Sequence, residues 1–232
     1  MGIKRVITGV KGMDKLIEGG FVVPSTTLLL GEPGTGKTTF GLQFLFEGAK
    51  RGERGLYVTG LSEPERVVRS LISAFSFYDE ELIKTGKIVL HDYGQSLSTF
   101  IPEKALAEIA NIIGRIKPHR FVLDPLPPAY LFSAPIEYQR YLYRTLSKLK
   151  ELDTVAIFIG EHTVRVPTGM EGYMVDGIIQ LAFSSRPGKD LYFATADTEY
   201  DLFLQIRKMR GTKHTRKILP LRITKEGLEI LG

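Results

Sequence analysis

The 232-residue chain contains no cysteine. That excludes disulfides, thiol nucleophiles and cysteine-ligated metals. It also lacks any apolar run near the roughly 18 residues that a membrane-spanning helix needs. The opening residues, MGIKRVITGV, have neither the apolar core nor the small-residue cleavage site of a secretory signal. Gly2 is followed at the sixth position by Val6, where N-myristoylation calls for Ser or Thr. These absences together give the expectation of a cytoplasmic protein without membrane insertion. No linker-like, repeated or low-complexity tract divides the chain, so residues 1–232 are expected to form a single domain. Acidic residues are missing from one stretch. Residues 205–225, QIRKMRGTKHTRKILPLRITK, hold eight Lys or Arg and no Asp or Glu, while the remainder carries 23 basic against 26 acidic residues. The net charge of +5 therefore belongs to one segment. A solvated basic surface is its plainer reading, and a phosphate-facing one the sharper.

What is present is alternation. Apolar runs at residues 26–31, 55–60, 87–93, 120–124 and 154–160 are continuous, as in parallel strands covered on both faces. Between them Leu106, Ile109, Ala110, Ile113 and Ile116 share one helical face, and Tyr138, Tyr141, Leu142, Leu146 and Leu149 share another. Strand–helix alternation implies right-handed crossovers and a parallel sheet. After residue 176 the pattern becomes strand upon strand: GIIQLAF, LYFATA, DLFLQIRKM and KILPLRIT, with SSRPGKD as the first turn. The expected fold class is α/β, with a central parallel sheet flanked by helices and C-terminal antiparallel strands.

The chemistry concentrates in GEPGTGKTT, residues 31–39, lying between the first strand run and a helix that begins near Gly36. Gly31, Gly34 and Gly36 allow backbone angles and approaches that a side chain would block. Glu32, Pro33, Thr35 and Thr39 complete a loop whose N–H groups face a β-phosphate at a helix N-terminus. Lys37 would reach the β- and γ-phosphates, and the Thr38 hydroxyl would complete a Mg²⁺ shell. Asp124, at the end of the RFVLD strand, stands at the sheet edge where open α/β folds bind ligands, and is the matching carboxylate.

The whole chain resembles the KaiC-like ATPases of the RecA superfamily. TGVKGMDKLIEGG resembles that family's opening helix, GEPGTGKTT its phosphate loop and FVLD its second nucleotide motif. MEGYMVDGIIQL resembles its Asp-Gly strand entry, and KMRGTKHTRKILPLRITKEGLEIL its C-terminal signature. The resemblance implies a RecA-like core binding ATP or ADP with Mg²⁺, in a homo-oligomeric ring, usually a hexamer, with nucleotide at subunit interfaces. It also implies that Lys208 and Arg210 reach the γ-phosphate held by the neighbouring subunit. Such a cation supplied in trans would stabilise the charge spread in phosphoryl transfer. Met209, Thr212 and His214 would line the same nucleotide.

Departures from the family bear on hydrolysis. Two adjacent glutamates usually end the second strand; the aligned residues here are Leu61 and Ser62, neither a general base. Glu63 lies one residue late, and helix entry, with Ser62 capping and Glu63 and Glu65 complementing the dipole, is its structural alternative. Glu161, ending the AIFIG strand, is a candidate γ-phosphate sensor. Lys225 stands where the family commonly has an acid. His91 and His162 lack metal-ligand spacing. The expected function is thus a slow, ring-forming ATPase. The alternatives are an ATP-gated scaffold with an unknown protein partner and, less favoured, a recombinase-like protein that holds single-stranded DNA.

Overall fold

A computed structural model of the chain describes residues 2–60, 64–94, 99–161, 169–185 and 200–231. In chain order its elements are β1 (Arg5–Val6), α1 (Met13–Leu16), β2 (Phe21–Val22), β3 (Ser25–Gly31), α2 (Lys37–Lys50), β4 (Gly55–Thr59), α3 (Glu65–Ile72), α4 (Glu80–Lys84) and β5 (Ile88–Asp92). There follow α5 (Pro102–Ile116), β6 (Arg120–Leu123), α6 (Pro135–Glu151), β7 (Val155–Glu161), α7 (Met170–Met174), β8 (Gly177–Ser185), β9 (Tyr200–Met209), β10 (Ile218–Thr224) and β11 (Gly227–Ile230).

Nine strands form one sheet in the order β11-β10-β9-β8-β3-β7-β6-β4-β5. The six from β8 to β5 are mutually parallel, and β9, β10 and β11 follow beside β8, each antiparallel to its neighbour. The α/β core with C-terminal antiparallel strands is therefore as the sequence implies. A separate small pair, β1 with β2, was not legible in it.

Successive side chains on a strand point to opposite faces, and here they enter two different cores. Leu29, Tyr57, Val122, Ile157 and Ile159 join the cluster around α2. Leu28, Leu30, Leu56, Val58, Phe121, Leu123 and Phe158 join the cluster under α5 and α6. Continuous apolar strands are the direct consequence of burial on both faces. Helix α6 buries the residues its periodicity indicates, with Thr145 added. Helix α5 is rotated relative to expectation: Ala105, Ile109, Ile112 and Ile113 are buried while Ala110 is exposed. Isoleucines at both 112 and 113 leave two overlapping stripes, and packing selects between them.

A buried cation fastens the far end of α2. Arg120, 1% exposed, pairs with Glu53 and donates to the carbonyls of Ile7 at 2.9 Å and Phe44 at 2.7 Å. Its guanidinium lies 4.5 Å from the centre of the Phe44 ring. Among the described residues, no helix is long and apolar enough to cross a membrane. The expected LYFATA strand lies outside the described residues.

Candidate functional site

The parallel register brings four strand ends to one edge. Gly31 of β3 sits opposite Glu161 of β7, Leu123 of β6 sits opposite Phe158 of β7, and Val58 of β4 sits opposite Leu123. Asp124 follows immediately, its N–H donating to the Val58 carbonyl at 2.9 Å. The loop after β3 rises from this edge. A Cβ on Gly31 would lie 2.6 Å from Thr35 Oγ1 and 2.8 Å from the Leu181 carbonyl, so no side chain fits there. Gly34 and Gly36 have φ of 84° and 92°, the left-handed region that glycine adopts without strain. Gly36 is also the residue before α2, so the N–H groups of the first helical turn, which have no acceptor within the helix, open toward the loop.

Inside the loop the Glu32 carbonyl is a local hub. It accepts from Lys37 Nζ at 2.8 Å and from Thr35 Oγ1 at 2.8 Å. The lysine thus lies back over the loop, and the role of Glu32 here is its backbone. Pro33 and Gly34 are exposed and Thr39 is partly buried on the first turn of α2.

Thr38 Oγ1 donates to Asp124 Oδ2 at 2.7 Å, and Tyr57 Oη donates to the same oxygen, also at 2.7 Å. Burial pushes the Asp124 carboxyl above the ordinary carboxylate range, against the opposing hydrogen bonds from Thr38 and Tyr57 and the nearby Lys37 charge. A hydroxyl and a carboxylate in contact are hard oxygen donors. Mg²⁺ is ordinarily held by one or two such side chains, with phosphate oxygens and water filling its shell, and this pair fits it.

The basic segment is assembled elsewhere. Lys208 Nζ donates to the carbonyls of Gly172 at 2.9 Å and Val175 at 2.7 Å. Arg210 Nη2 donates to the Tyr173 carbonyl at 3.0 Å, and its Nη1 lies 3.5 Å from Asp176 Oδ1. Both cations thereby satisfy carbonyls at the end of α7 that have no helical partner. Burial first, and then the Arg210 charge, lowers the Lys208 pKa, with Asp176 opposing. A register shift between Ile178 and Ile179 leaves Arg207 as an extra residue on β9 and re-aims the strand end. Met209 sits opposite Gly177, where a Cβ would come 3.0 Å from its sulfur.

Thr212, Lys213 and His214 continue into a loop tied to the N-terminal segment. Arg5 Nη1 donates to Thr212 Oγ1 at 2.9 Å, and Glu18 Oε2 accepts from the Lys213 N–H at 3.1 Å. His214 Nδ1 lies 2.9 Å from the Thr215 carbonyl.

The structure thus divides the expected site residues. Residues 31–39 and Asp124 meet at one edge of the sheet. Lys208 and Met209 pair with the start of β8, at the opposite edge. Leu61, Ser62 and Glu63 lie outside the described residues, as does His162; Glu161 ends β7, aligned with Gly31. The expected cap by Ser62 lies with that residue outside the described ones; Pro64 precedes α3 without a side-chain cap, and Glu65 in its first turn pairs with Arg69 at 2.7 Å. His91 is hydrogen-bonded to Glu108 at 3.0 Å. Tyr57 was missed, although a lone phenol in the apolar run GLYVT signals a buried hydroxyl in need of a partner.

Comparison with known proteins agrees with this geometry. The KaiC ATPase family matches residues 6–232. The chain belongs to that family. It is 30% identical to a UPF0273 protein of Methanopyrus kandleri over 99% of its own length and 93% of that protein's. It is 28% identical to the circadian clock protein KaiC3 of a Synechocystis strain, where it spans only 46% of the longer relative. Among solved structures, a KaiC-like protein from the hyperthermophilic archaeon Pyrococcus horikoshii superposes with a TM-score of 0.83, at 31% identity and full coverage of both chains. A P-loop ATPase domain of RecA type is therefore the family assignment.

Proposed function

We propose that residues 1–232 act as one ATPase domain that binds Mg–ATP at residues 31–39 and turns it over slowly within a ring of like chains. The observation that carries the reading is the glycine loop opening onto α2 beside the 2.7 Å Thr38–Asp124 pair. In this reading Lys37 exchanges the Glu32 carbonyl for phosphate oxygens, the loop N–H groups hold the β-phosphate, and Thr38 with Asp124 hold Mg²⁺. The ion supplies charge neutralisation between the β- and γ-oxygens.

The assignment of Lys208 and Arg210 to a neighbour's nucleotide is supported by register. Gly31 is level with Leu181 on β8, whereas Met209 is level with Gly177. That separation is about 13 Å along the strand, toward the opposite edge. These cations are poorly placed for their own chain's phosphate and well placed on an outer face for another's. For Lys208, engaging it would exchange two neutral carbonyls for an anion, a favourable trade for a charged donor. With Leu61 and Ser62 in place of a glutamate pair, loss of a general base slows such chemistry by about 10² to 10⁴.

The test is single-turnover hydrolysis of Mg–ATP, run with light scattering in ADP and in a non-hydrolysable ATP analogue. Slow turnover that falls by about 10³ in Lys208→Ala and Arg210→Ala, with ring-sized particles, is expected. Nucleotide-dependent assembly without turnover above the uncatalysed rate would replace this reading with an ATP-gated scaffold.

A further inference from the structure

Tyr57 and Thr59 carry the hydroxyls of β4, whose five residues are all buried. Tyr57 is 1% exposed, and a phenol so deeply placed needs a partner for its hydroxyl. Alternation along the strands determines which partner. Tyr57 and Val122 both point into the α2-side core, and Asp124, two residues beyond Val122, continues that face. The pairing Tyr57↔Val122 then leaves the tyrosine one step behind the carboxylate, within reach of it.

The outcome is that Asp124 Oδ2 accepts two hydroxyl protons at 2.7 Å each, from Thr38 on α2 and Tyr57 on β4. An ionised carboxylate has about four acceptor sites across two oxygens. Two donors converging on one oxygen from two different elements restrain the plane of the group. Thr38 cannot do this alone. Its hydroxyl oxygen is itself the expected metal ligand, so its hydrogen bond to Asp124 would compete with an arriving ion, whereas the Tyr57 hydroxyl donates to the carboxylate from a different element.

We infer that Tyr57 is a positioning residue for the divalent-cation side of the nucleotide site, acting through its hydroxyl on Asp124. This rests on the proposed Mg–nucleotide site at residues 31–39 and assigns the orientation of its carboxylate to a residue on a neighbouring strand. Tyr57 does not touch the phosphates. Its contribution is to the ion's shell and not to the nucleotide's cradle.

The experiment is titration of a fluorescent ADP analogue into the full chain, in excess EDTA and across a series of free Mg²⁺ concentrations. The proteins compared are wild type, Tyr57→Phe, Asp124→Asn and the double variant. Tyr57→Phe keeps the buried ring, and melting without nucleotide checks that it folds. The expected result is EDTA affinity within about twofold of wild type and a roughly tenfold rise in the Mg²⁺ concentration for half-maximal tightening, the size of one charge-assisted hydrogen bond. In the Asp124→Asn background the same substitution should have little further effect, because the two act as one unit. An unshifted Mg²⁺ midpoint in Tyr57→Phe would overturn the inference, as would an equal loss in EDTA. A shift of full size persisting beside Asp124→Asn would also overturn it. If wild type itself binds the analogue without any Mg²⁺ dependence, the cation-site reading fails first, a result distinguishable from failure of Tyr57 alone.

Discussion

Asp124 and Lys208 are shifted in the directions that disfavour charge, the carboxyl upward and the ammonium downward, and burial is the first cause in both. Each has polar partners within the chain: Thr38 and Tyr57 for the one, the end of α7 for the other. Groups held this way gain most when an opposite charge arrives, which is what the proposed roles toward a cation and an anion require. His119 is a contrasting case, with a structural task. Its Nδ1 accepts the Arg54 N–H at 2.9 Å, which requires that nitrogen to be unprotonated. Burial lowers its pKa below the ordinary 6.5, the Arg54 charge lowers it further, and Glu53 opposes. Between the lowered value and 6.5 the unfolded chain binds more protons than the folded one. Stability therefore rises with pH through that window and is lost as pH falls through it. His119→Asn, whose amide oxygen can still accept, should shrink the difference in melting temperature between pH 7 and pH 5. An unchanged difference would show that other groups set the acid limit.

At the scale of elements, the loop between β9 and β10 is positioned by the N-terminal segment. Arg5 donates to the carbonyls of Ile17, Gly20 and Gly211 as well as to Thr212 and Glu18, and Glu18 in turn holds the Lys213 amide. Two residues near the start of the chain thus fix the segment that carries Thr212 and His214. Glu18→Ala should release the Lys213 N–H, seen as faster hydrogen exchange at residues 211–214 with little change in the α2 amides. Uniform protection in wild type and variant would mean that the loop is held by β9 and β10 alone. None of this was legible in the sequence, because contacts across some 200 positions leave no periodic trace. The parallel strands were legible, since burial on both faces writes itself as continuous apolar runs, and so was the loop from Gly31 to Thr39. Strand alternation even carries Asp124 onto the α2 face. The bulge at Arg207 was not, because Ile206 and Lys208 read as ordinary alternation until a partner strand sets the register. Nor was the short β11.

For the molecule as a whole, the sheet separates the two halves of the proposed chemistry. The loop of residues 31–39 and Asp124 occupy the edge where β3, β6 and β7 end, while Lys208 and Arg210 are fastened to α7 near the start of β8. If the proposed roles hold, the chain has a donor face and an acceptor face, and head-to-tail contacts between unlike faces close into rings when the rotation permits. The separation makes a prediction that cis chemistry does not. A Lys37→Ala chain keeps its cations and loses its own site, and a Lys208→Ala, Arg210→Ala chain does the reverse. Each alone should be inactive. Mixed in equal amounts and allowed to exchange subunits, about a quarter of the interfaces would join an intact loop to an intact pair of cations, because each side is correct half the time. Single-turnover hydrolysis should therefore recover to roughly a quarter of the wild-type amplitude on mixing, provided light scattering shows mixed assemblies. Recovery would place the cations in trans. Mixed assemblies with no recovery would assign Lys208 and Arg210 to holding α7, and the phosphate-facing role of the basic segment would fall with that result.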